Sequence, residues 1–309
     1  MIVVCGEALI DVIRRGEGTQ HAAPGGGPFN TARALARLGV PTAFLGRLSS
    51  DAFGRQLAQA LNSDGVSLEL ASIGPEPTTI AVAEVDRGGR ADYQFTIEGT
   101  SAPNLTLEMI PARLGAGVAA LHIGTLGLVL EPMASTLLEL LNREREGRLI
   151  MVDPNIRVGL MPDAAYRDRL LNLLPRSTIV KASDTDLTWL YPDSSHERTA
   201  ERLLGEGVAM VVITLGAEGA FAAHRNFHVH VDAPPVQVVD TIGAGDAFGA
   251  GLLAWLHDHG AIKPDLDLGE RELRSAVEFA CLVAALSCTQ AGADPPWRSE
   301  MPTAKSREP

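Results

Sequence analysis

Val238-Val-Asp-Thr-Ile-Gly-Ala-Gly-Asp-Ala-Phe-Gly-Ala-Gly251 is the most informative stretch of this 309-residue chain. A strand-like run ends at Asp240, a glycine-bearing turn follows, and an apolar helix opens near Asp246. Gly243, Ala244 and Gly245 are small enough for the backbone to turn tightly and gather its N–H groups ahead of that helix. Converging amides at a helix N-terminus suit the charge spread over a transferring phosphoryl group. Asp246 falls in the first helical turn, placed to accept a hydroxyl proton while those amides hold the phosphoryl group in line. Taken alone, an aspartate at a helix start is a cap and the glycines before it are a turn. A second segment has to decide between the two readings.

Working outward, strand-like and helix-like segments alternate, the pattern of a parallel sheet covered by helices. Strands are expected at Ile2–Cys5, Thr42–Leu45, Ala119–Ile123, Leu149–Val152, Thr178–Lys181, Met210–Thr214 and around Phe221–Ala223. Helices are expected from Asn30 to Leu38, Phe53 to Asp64, Pro132 to Arg145 and Ala165 to Leu174, with shorter ones at Thr185–Leu190 and Arg198–Leu204. Beyond Asp246 the pattern is nearly all helical, through Ala247–His257 and Glu272–Ser287. Two stretches, Asp11–Ala23 and Thr78–Ile97, alternate like strands with no helix between them, and Gly88-Gly89 supports a hairpin. We read them as a small β lid over a site rather than as an antiparallel edge of the main sheet. The core is then residues 1–10, 24–77 and 98–297, the lid 11–23 and 78–97, and 298–309 a polar, loose tail.

The second segment is Gly25-Gly-Gly-Pro-Phe-Asn-Thr-Ala-Arg-Ala-Leu-Ala-Arg-Leu-Gly39. It resembles the N-terminal signature of the PfkB (ribokinase-like) carbohydrate kinase family, and Asp240–Gly251 resembles its C-terminal signature. Both stand in the family's order and separation, and the resemblance covers about residues 1–297. It implies a ribokinase-like three-layer α/β/α sandwich, with a mostly parallel central sheet and a small β-sheet lid. It also implies an ATP-dependent sugar kinase in which Asp246 is the catalytic base and Gly243, Ala244 and Gly245 form the anion hole.

Asp11 follows the first strand and Gly25–Asn30 lead into the first helix, so both lie where open α/β sheets place ligands. A carboxylate and a carboxamide together suit a polyol, because Asp accepts and Asn both donates and accepts. Each residue alone also serves as a strand end or a helix cap. By similarity to the family, Asp11, Gly26, Gly27 and Asn30 contact the sugar. Gly6-Glu-Ala-Leu-Ile-Asp11, His122-Ile-Gly-Thr-Leu126, Tyr93-Gln-Phe-Thr-Ile-Glu-Gly-Thr100 and Asp153-Pro-Asn-Ile-Arg157 resemble the fructokinase branch. Ribokinases carry Asn two residues before the sugar-binding Asp, and here that place is Leu9. The related 2-keto-3-deoxygluconate kinases hold a carboxylate with lid tyrosines and arginines. This lid has Tyr93 but few basic residues beyond Arg87 and Arg90, which favours a neutral hexose. Arg157 is a candidate for the substrate or the γ-phosphate, or equally a surface salt bridge.

Val211-Val-Ile-Thr-Leu-Gly-Ala-Glu-Gly219 is a buried strand entering a turn. In register with the family, Lys181, Ser183, Thr214, Gly216 and Gly219 line ATP, and Cys281 borders the adenine. The family usually carries Asn-x-x-Glu after a central strand, whereas Lys181-Ala-Ser-Asp-Thr-Asp186 has Ser183 and Asp186 in those places. The shorter Asp186 is expected to hold Mg2+ through water, as that ion prefers, while Ser183 and Asp184 also suit a plain helix cap. Asp240, Ile242 and Gly292 are the family's candidates for a K+ site.

The formal net charge of −12 argues against broad contact with nucleic acid or an anionic membrane surface. Three cysteines without metal-type spacing read as reduced, and the apolar start lacks a basic leader, so a soluble cytoplasmic protein is expected. The partners expected are a small-molecule sugar and ATP, with a homodimer formed through the lid. A dinucleotide-dependent oxidoreductase needs G-x-G-x-x-G directly after the first strand, and Gly25-Gly-Gly27 lies well beyond it. A non-catalytic sugar or nucleotide sensor on the same fold is opposed by an intact Asp246. Fructose to fructose 6-phosphate is the expected reaction, with 2-keto-3-deoxygluconate kinase or a ribokinase-type kinase as the alternatives.

Overall fold

The computed structural model describes residues 1–15, 19–85 and 91–302. Its first half comprises β1 (Ile2–Cys5), β2 (Leu9–Arg15), β3 (Thr19–Gly25), α1 (Gly27–Arg37), β4 (Thr42–Leu45), β5 (Arg47–Ser49), α2 (Ala52–Ser63), β6 (Ser72–Gly74), β7 (Ile80–Val85) and β8 (Ala91–Thr96). Then follow β9 (Ala120–Gly124), α3 (Met133–Glu144), β10 (Leu149–Asp153), α4 (Asp163–Leu173), β11 (Ile179–Ser183), α5 (Asp184–Leu190) and α6 (His196–Gly205). The chain closes with β12 (Met210–Thr214), β13 (Ala220–His224), β14 (Phe227–Val231), α7 (Ala244–Asp258) and α8 (Glu270–Ser287).

Eight strands form one sheet in the order β14-β13-β12-β11-β10-β9-β1-β4. The pairs from β4 to β12 are parallel, and β13 and β14 add an antiparallel edge. The central strands are apolar runs because both sheet faces are covered. Alternation sorts them: Ile2 and Val4 pack with α1, α2, α7 and α8, whereas Val3 and Cys5 pack with α3, α4, α5 and α6. Three layers result, as the alternating pattern predicts.

Asp11–Ala23 and Thr78–Ile97 belong to a separate four-stranded sheet, β3-β2-β7-β8. Here β2 pairs antiparallel with β3 and parallel with β7, while β7 and β8 run antiparallel. The expected Gly88-Gly89 turn, Arg87 and Arg90 lie outside the described residues, as does the side chain of Tyr93. No helix among the described residues is long and apolar enough to cross a membrane.

Three expectations need correction. The run at Val238–Asp240 is no strand: Val238 and Val239 are 59% and 61% exposed. Pro234-Pro235 upstream supplies no backbone donors, and the amides of Val239 and Asp240 instead donate to the Cys288 carbonyl. Helix α1 begins at Gly27, three residues before Asn30, because Pro28 fits a first helical turn where no N–H is needed. Ordered chain also runs past 298. Arg298–Glu300 form a 3₁₀ turn, Arg298 pairs with Asp258, and Met301 is buried. The rest of the expected tail, 303–309, lies outside the described residues.

Candidate active site

The carboxyl ends of β1, β9, β10, β11 and β12 all open on one side of the sheet. There a cleft of about 950 Å³ runs from Asn155 and Arg157 past Asp246 to Thr214 and Gly216. At its centre is the start of α7. Gly243 caps this helix with φ 75, a left-handed conformation that costs glycine little. A β-carbon there would stand 2.7 Å from that of Ala293, so the turn leaves no room for a side chain. Gly245 likewise faces Lys181, whose Nζ would lie 3.1 Å from an added β-carbon. The Ala244 amide is partly committed, donating to Thr241 O at 3.2 Å.

Asp246 is buried in the first turn of α7, and its Oδ2 accepts from Asn30 Nδ2 at 2.9 Å. Burial lifts its pKa from 3.8 to about 7; the Asn30 hydrogen bond works against this, Asp153 adds to it, and Lys181 and Arg157 oppose it. A carboxyl poised there can take a proton near neutral pH.

Gly27 and Asn30 converge on Asp246, while Gly26 lies against Glu7 and Ala8. Gly26 adopts φ 107 at the start of α1, and a β-carbon on Gly27 would lie 3.3 Å from Asp246 Oδ1 and 2.3 Å from Thr125 Oγ1. Asp11 lies on β2, so close to Gly25 that a β-carbon there would fall 1.9 Å from Asp11 Oδ2. Burial raises the Asp11 pKa to about 6, and Arg157 pulls it back. Arg157 forms no ion pair with another described residue. Its Nη1 donates to Asn155 Oδ1 at 2.7 Å and to the carbonyls of Asn155 and Ile156, which presents the guanidinium to the cleft.

Under the Gly243–Gly245 turn, Lys181 Nζ meets Asp153 Oδ2 at 2.7 Å, both side chains at most 5% exposed. Burial works against the lysine charge, but Asp153, with Asp246 and Asp186 beyond, lifts its pKa above the ordinary value. Lys181 therefore stands behind the turn as a fixed cation. His122 nearby is kept neutral, its pKa pushed down to about 3 by burial and by Lys181.

Ser183 and Asp186 form a reciprocal capping box on α5. Ser183 Oγ accepts from the Asp186 amide at 3.1 Å, and Asp186 Oδ2 accepts from the Ser183 amide at 2.9 Å and its hydroxyl at 2.6 Å. Asp186 Oδ1 accepts from the Ile156 amide at 2.7 Å. Both carboxylate oxygens are thus engaged by the protein, although Asp186 still lines the cleft. Asp240 gathers the other candidate ion residues, accepting from Ile242 N–H at 3.0 Å and Gly292 N–H at 2.9 Å.

Two residues expected at the nucleotide also carry packing constraints. Gly219 has φ 92, and a β-carbon would meet Val231 O at 1.9 Å, so its glycine character is required by the approach of β14. Cys281 is buried in α8 among core residues of the α7–α8 layer.

Four residues passed over as functional complete the site. Glu7, fully buried, accepts from the amides of Gly27 and Gly127. Burial lifts its pKa to about 8, backbone hydrogen bonds hold it back, and Asp246 adds to the rise. Asp153 pairs with Lys181. Thr125 and Asn155 carry positive φ of 52° and 39° and are joined by a 3.3 Å hydrogen bond from Asn155 Nδ2 to Thr125 Oγ1. Such backbone costs about 1–3 kcal/mol per residue and gathers at functional sites. The signal was available, since Asp153 directly follows the apolar run Leu149–Val152 and Glu7 follows Ile2–Cys5 by one glycine.

The pfkB family carbohydrate kinase model matches residues 1–300. A fructokinase of Rhizobium leguminosarum bv. trifolii is 41% identical over 285 residues, 91% of this chain and 85% of that protein. The crystal structure of Vibrio cholerae O395 fructokinase with fructose, ADP and calcium superposes with a TM-score of 0.82 at 29% identity, covering 94% of each chain. Xylella fastidiosa fructokinase with bound ATP gives 0.88 at 25% identity, over 97% of this chain and 94% of that one. With both signatures brought together at Asp246 and the family model spanning nearly the whole length, the chain belongs to the pfkB family of carbohydrate kinases.

Proposed function

We propose that this protein is an ATP-dependent fructokinase that moves the γ-phosphoryl group of ATP to the O6 hydroxyl of fructose. The observation that carries the reading is the buried Asp246 carboxylate at the α7 N-terminus, oriented by Asn30 and flanked by the Gly243–Gly245 turn. In this reading Asp246 takes the hydroxyl proton as the oxygen attacks the γ-phosphorus. Backbone N–H groups at the turn, with Lys181 behind them, stabilise the charge that builds on the phosphoryl oxygens. Thr214 and Gly216 line the nucleotide end of the cleft. Magnesium enters with ATP and neutralises its phosphates. Such an ion keeps most of its water and is held by few protein groups. Asp186 would reach it through such a water, and a K+ ion would sit by the Asp240 loop.

A neutral sugar is favoured over a sugar acid. Asp11, Glu7 and Asp246 surround the acceptor end, their pKa values all raised, and Arg157 is the cation that bears on all three. A carboxylate brought there meets more acidic groups than basic ones. The small sheet serves as the lid that keeps water from the phosphoryl group, and we assign homodimer contact to it, checked by light scattering of the purified protein. Three free cysteines suit a reducing cytoplasm.

A coupled ADP-release assay tests the function over fructose, ribose, tagatose, 2-keto-3-deoxygluconate, adenosine and other nucleosides. The highest kcat/KM is expected with fructose. Silence across the panel with Mg-ATP and potassium present would overturn the kinase reading in favour of a sensor.

A further inference from the structure

Glu7 occupies the bend where the chain leaves β1 for β2 and has no exposed surface. Its Oε1 accepts from the Gly27 amide at 3.3 Å and its Oε2 from the Gly127 amide at 3.2 Å. It forms no ion pair with another described residue. Asp246 of α7 and Arg157 beyond β10 act on it electrostatically, and it in turn acts on the Tyr166 hydroxyl of α4. A carboxyl group in such surroundings is costly to bury, and a leucine or methionine would pack there without that cost. Its two hydrogen bonds do not serve the main sheet. They join two loops that meet only at the site.

The first loop is the entry to α1. Gly26 lies against Glu7, so that an added β-carbon would be 3.0 Å from Glu7 O and 3.3 Å from Glu7 Cγ. One turn further on, Asn30 holds Asp246. The second loop is the 3₁₀ turn Thr125–Leu128 after β9, which carries the positive-φ Thr125. Gly27 and Thr125 come together beside Asp246, where there is no space for even one methyl group. Moving either loop by a fraction of an ångström changes where a sugar hydroxyl meets the carboxylate.

We propose that Glu7 is a positioning residue for phosphoryl transfer, a buried clasp that holds the start of α1 and the Thr125 turn at the spacing Asp246 requires of the acceptor hydroxyl. This inference rests on the sugar-kinase reading. Glutamine preserves the shape of Glu7 but turns an NH2 group toward one of the two amide donors, and that loop is released. Aspartate keeps both acceptors on a stem one methylene shorter.

The test compares wild type, Glu7→Gln and Glu7→Asp in the coupled assay, with fructose and ATP varied separately and thermal melts run alongside. Glu7→Gln is expected to lower kcat roughly 10- to 100-fold, the scale of a small misplacement of reacting groups, and to raise the KM for fructose. The KM for ATP should stay within about twofold, because Thr214 and Gly216 do not touch Glu7. Glu7→Asp should recover part of the lost kcat. Kinetic constants of Glu7→Gln within about twofold of wild type would overturn the proposal, as would equal losses toward both substrates. If Glu7→Gln does not fold, Glu7→Asp decides alone: reduced kcat with unchanged ATP KM supports the clasp, and wild-type behaviour refutes it. A wild-type enzyme silent on every sugar ends the kinase reading and this inference with it. An active wild type with unaffected variants ends the inference only.

Discussion

Asn30 Nδ2 donates to Asp246 Oδ2 across 2.9 Å, joining residues 216 positions apart in the chain. The bond ties α1, which opens at Gly27, to α7, which opens at the Gly243–Gly245 turn. It also fixes which carboxylate oxygen is occupied, leaving Oδ1 on the side of Gly27, where the proposed reaction would bring the substrate hydroxyl.

Replacing Asp246 with Asn keeps the acceptor for Asn30 and removes the base. We expect kcat for fructose to fall by about 10²–10⁴-fold, with sugar affinity nearly unchanged. Steady-state kinetics with a direct binding titration checks both halves. A kcat close to wild type would remove Asp246 from its role.

The pH dependence follows from the same carboxyl. Asp246 has to be ionised to accept the proton, and its pKa stands at about 7. Log kcat/KM should therefore decline with falling pH through a midpoint near that value. A profile flat down to about pH 5 would mean an ordinary carboxylate pKa and a different base.

Stability has the opposite sign. The folded pKa of Asp246 lies above its unfolded value, 3.8 rising to about 7. The protonated form therefore favours folding, a contribution fully present below about pH 4 and lost as pH rises through about 7. Asp246→Asn should accordingly melt at higher temperature than wild type at pH 8, with the difference vanishing near pH 4. Melts that differ equally at both pH values would contradict this.

Lys181→Met leaves Asp153 buried without its partner. Breaking such a pair typically costs about 3–5 kcal/mol, which a denaturant titration would register. Adding Asp153→Asn to the same chain should recover part of the loss, while activity stays low because the cation behind Gly245 is gone.

Gly219→Ala separates packing from nucleotide contact. With φ 92 and Val231 O in the way, the variant should lose at least about 2 kcal/mol. The KM for ATP of the folded enzyme should barely change. A raised ATP KM with undiminished stability would return Gly219 to the phosphate site.

Much of this was legible in the sequence because its signals are local. The apolar strands, the helix punctuation and the two glycine-rich segments each follow from neighbouring residues, and the residues they single out, Asp246, Asn30 and Gly27, lie side by side in the fold. What failed depended on contacts across the fold. Val238–Asp240 alternates like a strand, yet its amides answer to Cys288 rather than to a neighbouring strand. The approach of β14 to Gly219 and the packing of α7 on α8 around Cys281 were likewise out of reach of local signals. Glu7 and Asp153 were visible as charged residues after apolar strands. Their partners, Gly27, Gly127 and Lys181, lie 20 to 120 positions away, and only the sheet order brings them together.

Asp240 bridges the loop before α7 and the loop after α8, holding one amide from each. With α7 and α8 packed along their length, the two ends of that wall are tied to each other. If the small sheet is the lid we propose, the yielding parts are its short connections to the core, at residues 6–8, 26, 75–79 and 97–101. In that reading the nucleotide side is the anvil, and the sugar side is the part that travels.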